Sequence, residues 1–370
     1  MKYTKEYWGD VASCIGNIPE IEKLYNKNLL ITGATGMLAS PVVDIVSFLN
    51  REKNAGIKLI IAGRNRQRTL DRFAGVLNEE DIKFVEFDAN YMYKLNVEAD
   101  YIIHAASNAD NGMFLKEPAE TLFSNVVGVK SMLDLNVKNK GSRLLYVSSS
   151  EVYGELPEKS AASENTGAAV TSGDAKAAQA SDAAGSMIKE TDYGYVDVLS
   201  TRSCYPNGKR AAETLCSCYI TEYGADVVIA RPGYIYGPTI KESDKRASAA
   251  FTFDAAAGRN IVMKSKGEQL RSYCYMLDCA TALLTILLKG ECGQAYNISN
   301  KDAIVSIRDV AEALAKAGGV SVVFENPSDA EKSSYNTMKN SALDASKLEA
   351  LGWKGMYGLD EGIRKTLLYL

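Results

Sequence analysis

From Leu29 onward the chain alternates short apolar runs with amphipathic stretches. "LLITG" reads as a strand, and "MLASPVVDIVSFLN" as a helix entered through glycine. "IKLIIAG" is a second strand, followed by the polar helical stretch "RQRTLDRFAGVLN". "IKFVEFD" and "ADYIIHAAS" are a third and a fourth, a long helix runs through Asn125, and "SRLLYVSSS" is a fifth. "GADVVIARP" is a later strand in the same style. These runs are apolar throughout instead of alternating, so both faces are buried, as parallel strands under crossover helices require. A βαβα series of this kind predicts an α/β fold with a doubly wound parallel sheet.

The last third breaks the pattern. Short strands such as "RSYCYM" and "QAYNIS" mix with helices such as "SIRDVAEALAKAGG". They predict a smaller C-terminal α+β region that binds substrate over the carboxyl edge of the sheet, where ligands of such folds sit. The expected organisation is a helical extension over 1–27, a nucleotide-binding domain over 28–238, and a substrate-binding domain over 239–370. Some segments of the last are expected to return to the first sheet. Residues 156–189 are rich in Ala, Ser and Gly and lack large side chains, so they cannot bury enough apolar area to fold alone. They read as an insertion, either a passive surface loop or a lid over the site.

Composition narrows the function. At 46% hydrophobic and 24% charged residues, the chain can build an ordinary soluble core. A net charge of -4 without a basic cluster argues against nucleic acid as a partner. No apolar run is long enough to span a bilayer, so no membrane partner is expected. The N-terminal stretch lacks an apolar segment flanked by basic residues, so no signal peptide is expected. Seven scattered cysteines without C-x-x-C pairs read as reduced thiols of a cytoplasmic protein. His104 is the only histidine, which excludes a His-rich zinc site, and no carboxylate cluster suggests another metal.

"LITGATGMLAS" places Gly33 and Gly36 between the first strand and the first helix. Glycine there allows a tight turn and lets backbone N–H groups approach a pyrophosphate at a helix N-terminus. An acidic residue closing the second strand would hold the ribose 2′-hydroxyl of NAD. This chain has "AGRNRQR" instead, with Arg64, Arg66 and Arg68. Arginine suits a 2′-phosphate, which leans the cofactor toward NADP, unless these side chains only begin a solvated helix.

With "SSSEVYG", "YPNGK" and "RSYCYMLD" added, the chain resembles the extended short-chain dehydrogenase/reductase family, the nucleotide-sugar epimerases, dehydratases and decarboxylases. "TGATG", "FDA" at Asp88, "IHAAS", "NVVGVKSML" at Asn125, "RPGYIYGP" and "LDASKLEALGW" extend the likeness over almost the whole chain from Leu29. The resemblance implies a Rossmann fold, a bound and recycled NAD or NADP, a nucleotide-sugar substrate and a homodimer. It assigns cofactor contacts to Gly33, Thr35, Gly36, Met37, Leu38, Arg64, Asn65, Asp88, Ala89, Ala105, Ala106, Tyr205, Lys209 and Pro232.

In that family a tyrosine and a lysine one helical turn apart do the acid–base work. Here they are Tyr205 and Lys209, whose spacing puts both on one helix face. A nearby ammonium is expected to lower the phenol's pKa from about 10. The resemblance also makes Ser149 the hydroxyl that touches the reacting sugar oxygen, with Ser150 and Glu151 beside it. Ser149-Ser150-Glu151-Val152-Tyr153-Gly154 is similar to the Thr-Ser-Glu-Val-Tyr-Gly of UDP-glucuronate decarboxylases. Arg271 resembles the arginine that reaches the sugar and its phosphates, and Asn125 is a further substrate contact. Two departures are Tyr234, where the family often has asparagine near the substrate, and the 156–189 insertion. The implied activity is decarboxylation through a 4-keto sugar. A 4-epimerase or 4,6-dehydratase is the alternative, and a non-catalytic nucleotide-binding protein is the rival of another class.

Overall fold

A computed structural model describes all residues except 108, 110, 158–186, 243, 245, 328–337 and 339. The insertion and its expected role as a lid therefore lie almost wholly outside the described residues.

Seven parallel strands form the main sheet, in the order β3-β2-β1-β4-β5-β6-β10. They are β1 (Asn28–Thr32), β2 (Lys58–Gly63), β3 (Ile82–Glu86), β4 (Tyr101–His104), β5 (Arg143–Val147), β6 (Val227–Pro232) and β10 (Ala295–Ile298). Strand order reverses direction between β1 and β4, so a crevice opens at their carboxyl ends. The doubly wound reading is therefore correct. The placing of "QAYNIS" within the smaller region is corrected: it contributes β10, which pairs with β6 at the sheet's edge. Its residues Tyr296 and Ile298 are as buried as those of the central strands, so sheet and C-terminal region share one apolar core.

The first crossover shows how local sequence sets the turn. Gly33 has φ +68°, and a Cβ there would lie 2.7 Å from the Ala105 carbonyl oxygen. The turn therefore backs directly onto the end of β4, an approach only glycine tolerates. Helix α2 (Ser40–Lys53) follows, with Pro41 in its first turn and Asn54 closing it in the left-handed region. The expected helix over "RQRTLDRFAGVLN" is shorter than the pattern suggested, with α3 covering Arg66–Arg72. A left-handed Gly75 (φ +76°) lies just beyond it and bars helical continuation.

Two helices lie after β4: α4 (Asn111–Lys116) and α5 (Pro118–Lys138). Helix α6 (Cys204–Tyr223) packs along α5, and Gly208 lets it approach Asn125. The C-terminal region adds β7 (Tyr234–Tyr236), α7 (Ala247–Ala256), β8 (Ile261–Met263), β9 (Leu270–Tyr275) and α8 (Met276–Lys289). It ends with β11 (Ile304–Ser306), α9 (Ile307–Gly318), β12 (Val322–Phe324), β13 (Asn340–Ser341), α10 (Ser346–Glu349) and α11 (Leu359–Tyr369). β7, β11 and β13 gather around β9 in a small mixed sheet.

The first 27 residues carry helix α1 (Lys5–Ile15), which clasps α2. Tyr7 and Tyr3 donate to the buried Asp44 carboxylate at 2.6 and 3.0 Å, and burial pushes Asp44 up to about 6. Lys365 and Tyr369 of α11 both bond Asp10, so α1 ties the chain's start to its last helix. Among the described residues no helix is long and apolar enough to cross a membrane.

A Gly33→Ala variant should lose more stability than Gly75→Ala in urea unfolding. Both meet a left-handed penalty of about 1 kcal/mol, but only Gly33 has backbone within clashing distance, whereas a Cβ at Gly75 meets nothing within 4 Å. Equal losses would contradict the close approach of the turn to β4.

Candidate active site

The carboxyl ends of β1, β4, β5 and β6 converge on one crevice. Thr32 closes β1, and its Oγ accepts from the N–H groups of Ala105 and Ala106 at 3.1 Å each. Its hydroxyl meets His104 Nδ1 at 2.8 Å. Burial pushes His104 down to about 3, with Lys209 adding to the effect, so the ring is neutral; because the Thr32 oxygen already accepts two N–H bonds, its hydroxyl donates to Nδ1. This brace fixes Ala105 and Ala106 against the glycine turn. Sequence reasoning used His104 only to argue against zinc and missed the brace.

The turn's own hydrogen bonds run from Gly36 N–H to Gly33 O (2.9 Å) and from Ser40 N–H to Gly36 O (3.0 Å). Between them lie the N–H groups of Thr35, Met37 and Leu38, in a half-buried position ahead of α2. That donor set fits a dinucleotide's pyrophosphate, which carries no directional demand beyond several N–H groups and a helix start. Asp88 follows β3 and accepts from the Asn90 backbone at 3.0 Å. Ala89 touches α5 where Gly128 has no side chain, so Asp88 and Ala89 line the same crevice wall. Pro232, the last residue of β6, is buried at the far side.

The arginines after β2 are less specific than their sequence suggested. Asn65 caps α3, accepting from Arg68 N–H at 2.9 Å. Arg66 turns to Glu79 at 2.8 Å on the surface, and Arg72 bonds Tyr3. Arg64 stays exposed at the strand end.

The expected tyrosine–lysine pair is held by α6 and the segment after β5. Lys209 Nζ donates to the Val147 carbonyl at 2.8 Å. One residue on, Arg210 donates from Nε to Val152 O (2.7 Å) and from Nη2 to Gly194 O (2.8 Å). The two bonds staple both ends of the Ser148–Val152 stretch to one helix. Between them, Ser149 accepts from the Glu151 N–H at 3.2 Å and lies close enough to the Tyr205 phenol to act on it. Ser150 is buried in the 3₁₀ turn that begins there. Tyr153 donates to Asn297 of β10 at 2.5 Å, and the buried pair Arg231–Glu213 lies beneath it, at 2.6 Å.

The expected lowering of the Tyr205 pKa by Lys209 is corrected. Burial, then the Glu151 charge, holds the phenol above its ordinary value. The lysine cannot counter this strongly, because burial pushes its own pKa down to about 7. Ser149, Arg246 and Arg202 act on the phenol in the lowering direction. The ring of Phe114 from α4 stacks on Tyr205 with centroids 4.7 Å apart.

Glu151 accepts from both arms of Arg202, Nη1 to Oε2 and Nη2 to Oε1, at 3.1 Å each. Neither Arg202 nor Phe114 was singled out from the sequence. Arg246 is a third omission: its charge acts on Tyr205 and Tyr273, and its Nη2 lies 4.0 Å from the Met37 sulfur. No periodicity marks such residues, since their partners lie far along the chain.

The three expected substrate residues do not form one group. Arg271 is buried, donates to Leu270 O (2.8 Å) and Met338 O (2.7 Å), and lies 5.5 Å from the Tyr234 ring. Asn125 is elsewhere: it accepts from Ser107 at 2.9 Å and donates to Thr121 O at 2.8 Å, bracing the loop after β4.

Comparison with known proteins supplies the remaining evidence. Residues 29–299 match the model of the NAD dependent epimerase/dehydratase family. The chain is 29% identical to UDP-glucuronic acid decarboxylase 1 of Xenopus tropicalis over 346 residues, covering 93% of this chain and 72% of the relative. It superposes with a TM-score of 0.70 on a UDP-glucose 4-epimerase of Thermotoga maritima, at 21% identity, covering 92% and 98% of the two chains. A UDP-glucuronic acid 4-epimerase of Bacillus cereus, solved with UDP-glucuronic acid and NAD, gives 0.68 at 19% identity, covering 92% and 98%. At these identities the two structures speak for the fold. The lean toward NADP finds no support in these comparisons.

Lys209 gives a pH test in the cofactor-free protein. Its folded pKa of about 7 lies below its ordinary 10.5, so the unfolded chain binds the extra proton between those values. Wild-type stability relative to Lys209→Met should therefore rise as pH increases from about 7 toward 10.5. The Tm of wild type minus that of the variant should be lowest near neutrality and climb toward pH 10.5. A gap independent of pH would contradict the buried, neutral lysine.

Proposed function

The chain belongs to the NAD dependent epimerase/dehydratase family, and on that premise we propose that it decarboxylates a nucleotide-linked uronate through a 4-keto sugar intermediate. The observation that carries this reading is the Ser149-Ser150-Glu151 segment. Its Ser149 hydroxyl and its Glu151 carboxylate both act on Tyr205, and Ser150 is buried in the turn between them. The similarity to a UDP-glucuronic acid decarboxylase over 93% of the chain supports it.

When bound, the nicotinamide supplies a hydride acceptor and donor at sugar C4. The chain's residues do the rest. Tyr205 takes the proton of the C4 hydroxyl as C4 becomes a ketone. A phenol raised by burial releases its own proton only with help. That help comes from Ser149 and from the charges of Arg246 and Arg202. Ser149 donates to the ketone oxygen and draws electron density toward it. The sugar carboxylate is then beta to a carbonyl, so its C–C bond breaks and CO₂ leaves as an enolate forms. Glu151 and Ser150 orient the ring and the water that delivers a proton to C5. Tyr205 finally returns its proton to the C4 oxygen as the hydride comes back.

A 4-epimerase is the second reading. It uses the same oxidation, followed by rotation of the keto sugar before the hydride returns, and the same Ser149 and Tyr205 would serve it. The nucleotide base is open in both readings.

Mass spectrometry of products from UDP-, dTDP-, GDP- and CDP-linked sugars decides between them. Loss of CO₂ from a uronate is expected. Unchanged mass with an altered sugar would establish epimerisation, and loss of water dehydration. Tyr205→Phe should lower turnover about 10²- to 10⁴-fold while cofactor affinity changes only a few-fold. Turnover near wild type would remove Tyr205 from the proton transfer. Glu151→Gln should preserve formation of reduced cofactor and slow the step after it. Equal falls in both would place Glu151 in the oxidation.

A further inference from the structure

Arg202 stands one turn ahead of Tyr205, in the 3₁₀ segment Thr201–Ser203 that leads into α6. It touches two residues of the site, Glu151 and Phe114. Two of its nitrogens take the two Glu151 oxygens in parallel. Its guanidinium lies 4.9 Å from the Phe114 ring, and Phe114 stacks on Tyr205. Its third nitrogen, Nε, is buried and has no hydrogen-bond partner among the described residues.

A purely structural ion pair explains this poorly. Side-chain exposure is 26% for Arg202 and 20% for Glu151, so both charges give up most of their hydration. Pairs this far from water contribute little net stability, because desolvation offsets the attraction. A scaffold arginine also rarely leaves a buried N–H unspent. A planar fork does fix a carboxylate in position and plane, which a single ammonium cannot do.

We propose that Arg202 is a positioning residue for Glu151: its fork fixes the carboxylate's place and plane beside Ser149 and Tyr205, and its stacking on Phe114 couples that geometry to the tyrosine ring. This deepens the catalytic reading given above and rests on it for the role of Glu151. It also assigns Glu151 a fixed orientation before substrate arrives. Arg202 acts through Glu151, so its effect exists only while that carboxylate is present.

Two variants and two readouts test this. In a crystal structure of Arg202→Met, the Glu151 side chain should leave its place beside Ser149 while Tyr205 and Lys209 keep theirs. An unchanged Glu151 would overturn the proposal, whatever reaction the protein performs. The second readout is a double-mutant cycle on whichever nucleotide-sugar conversion the wild type catalyses. Arg202→Met alone should lower kcat about 10²-fold, the effect of a misplaced group, with little change in KM. In a Glu151→Gln background it should lower kcat no further. Arg202→Lys, which keeps the charge without the fork, should stay close to Arg202→Met. Additive losses, or full rescue by lysine, would overturn the positioning role. Absence of any nucleotide-sugar turnover by the wild type would instead count against the function proposed above, leaving the crystallographic readout to judge Arg202.

Discussion

The buried bond from Lys209 Nζ to the Val147 carbonyl is the contact on which the site depends. Val147 is the last residue of β5, and the chain beyond it carries Ser149 and Glu151. Lys209 lies one turn beyond Tyr205 on α6. The bond therefore sets the distance between the hydroxyl–carboxylate segment and the phenol. Arg210 repeats the tie at Val152, and the stretch between has no freedom to drift. This arrangement removes a lysine from water, and its pKa of about 7 reflects that. An ammonium poised near neutrality can carry its charge when an anionic ligand arrives and lose it otherwise.

The opposite wall is held with the same economy. Thr32 spends its oxygen on Ala105 and Ala106 and its proton on His104, locking the glycine turn to β4. A dinucleotide at the turn and a sugar beside Tyr205 would therefore meet across the point where strand order reverses. The C-terminal region adds Arg246 and Tyr273 from above. It is joined to the main sheet through β10 and a continuous core, so the site's two halves are not separately mobile blocks joined by a linker.

Much of this was legible in the sequence, for a physical reason. Strands buried on both faces leave uninterrupted apolar runs, so β1, β2, β4, β5 and β6 could be read directly, whereas β3 lies at the sheet's edge with Lys83 and Glu86 exposed. The glycine turn and the Tyr205–Lys209 spacing are local patterns of a few residues, and they were legible too. β10 was misplaced because a short apolar strand looks the same in either sheet; only its pairing with β6 decides. The Glu151–Arg202 pair spans 51 positions and the Thr32–His104 brace 72, and no local period records such distances. The Tyr205 pKa was misjudged for a related reason. Spacing on a helix announces the lysine, whereas the burial that outweighs it depends on tertiary neighbours such as Phe114, stacked on the ring from another element.

The central claim is that one rigid site takes a hydride from sugar C4 and gives it back to the same carbon. A nucleotide uronate deuterated at C4 tests it most directly, with the product examined by mass spectrometry and NMR. The account predicts that the product keeps its deuterium at C4 even with excess unlabelled cofactor in solution. Loss of the label to solvent or to the free cofactor pool would contradict it.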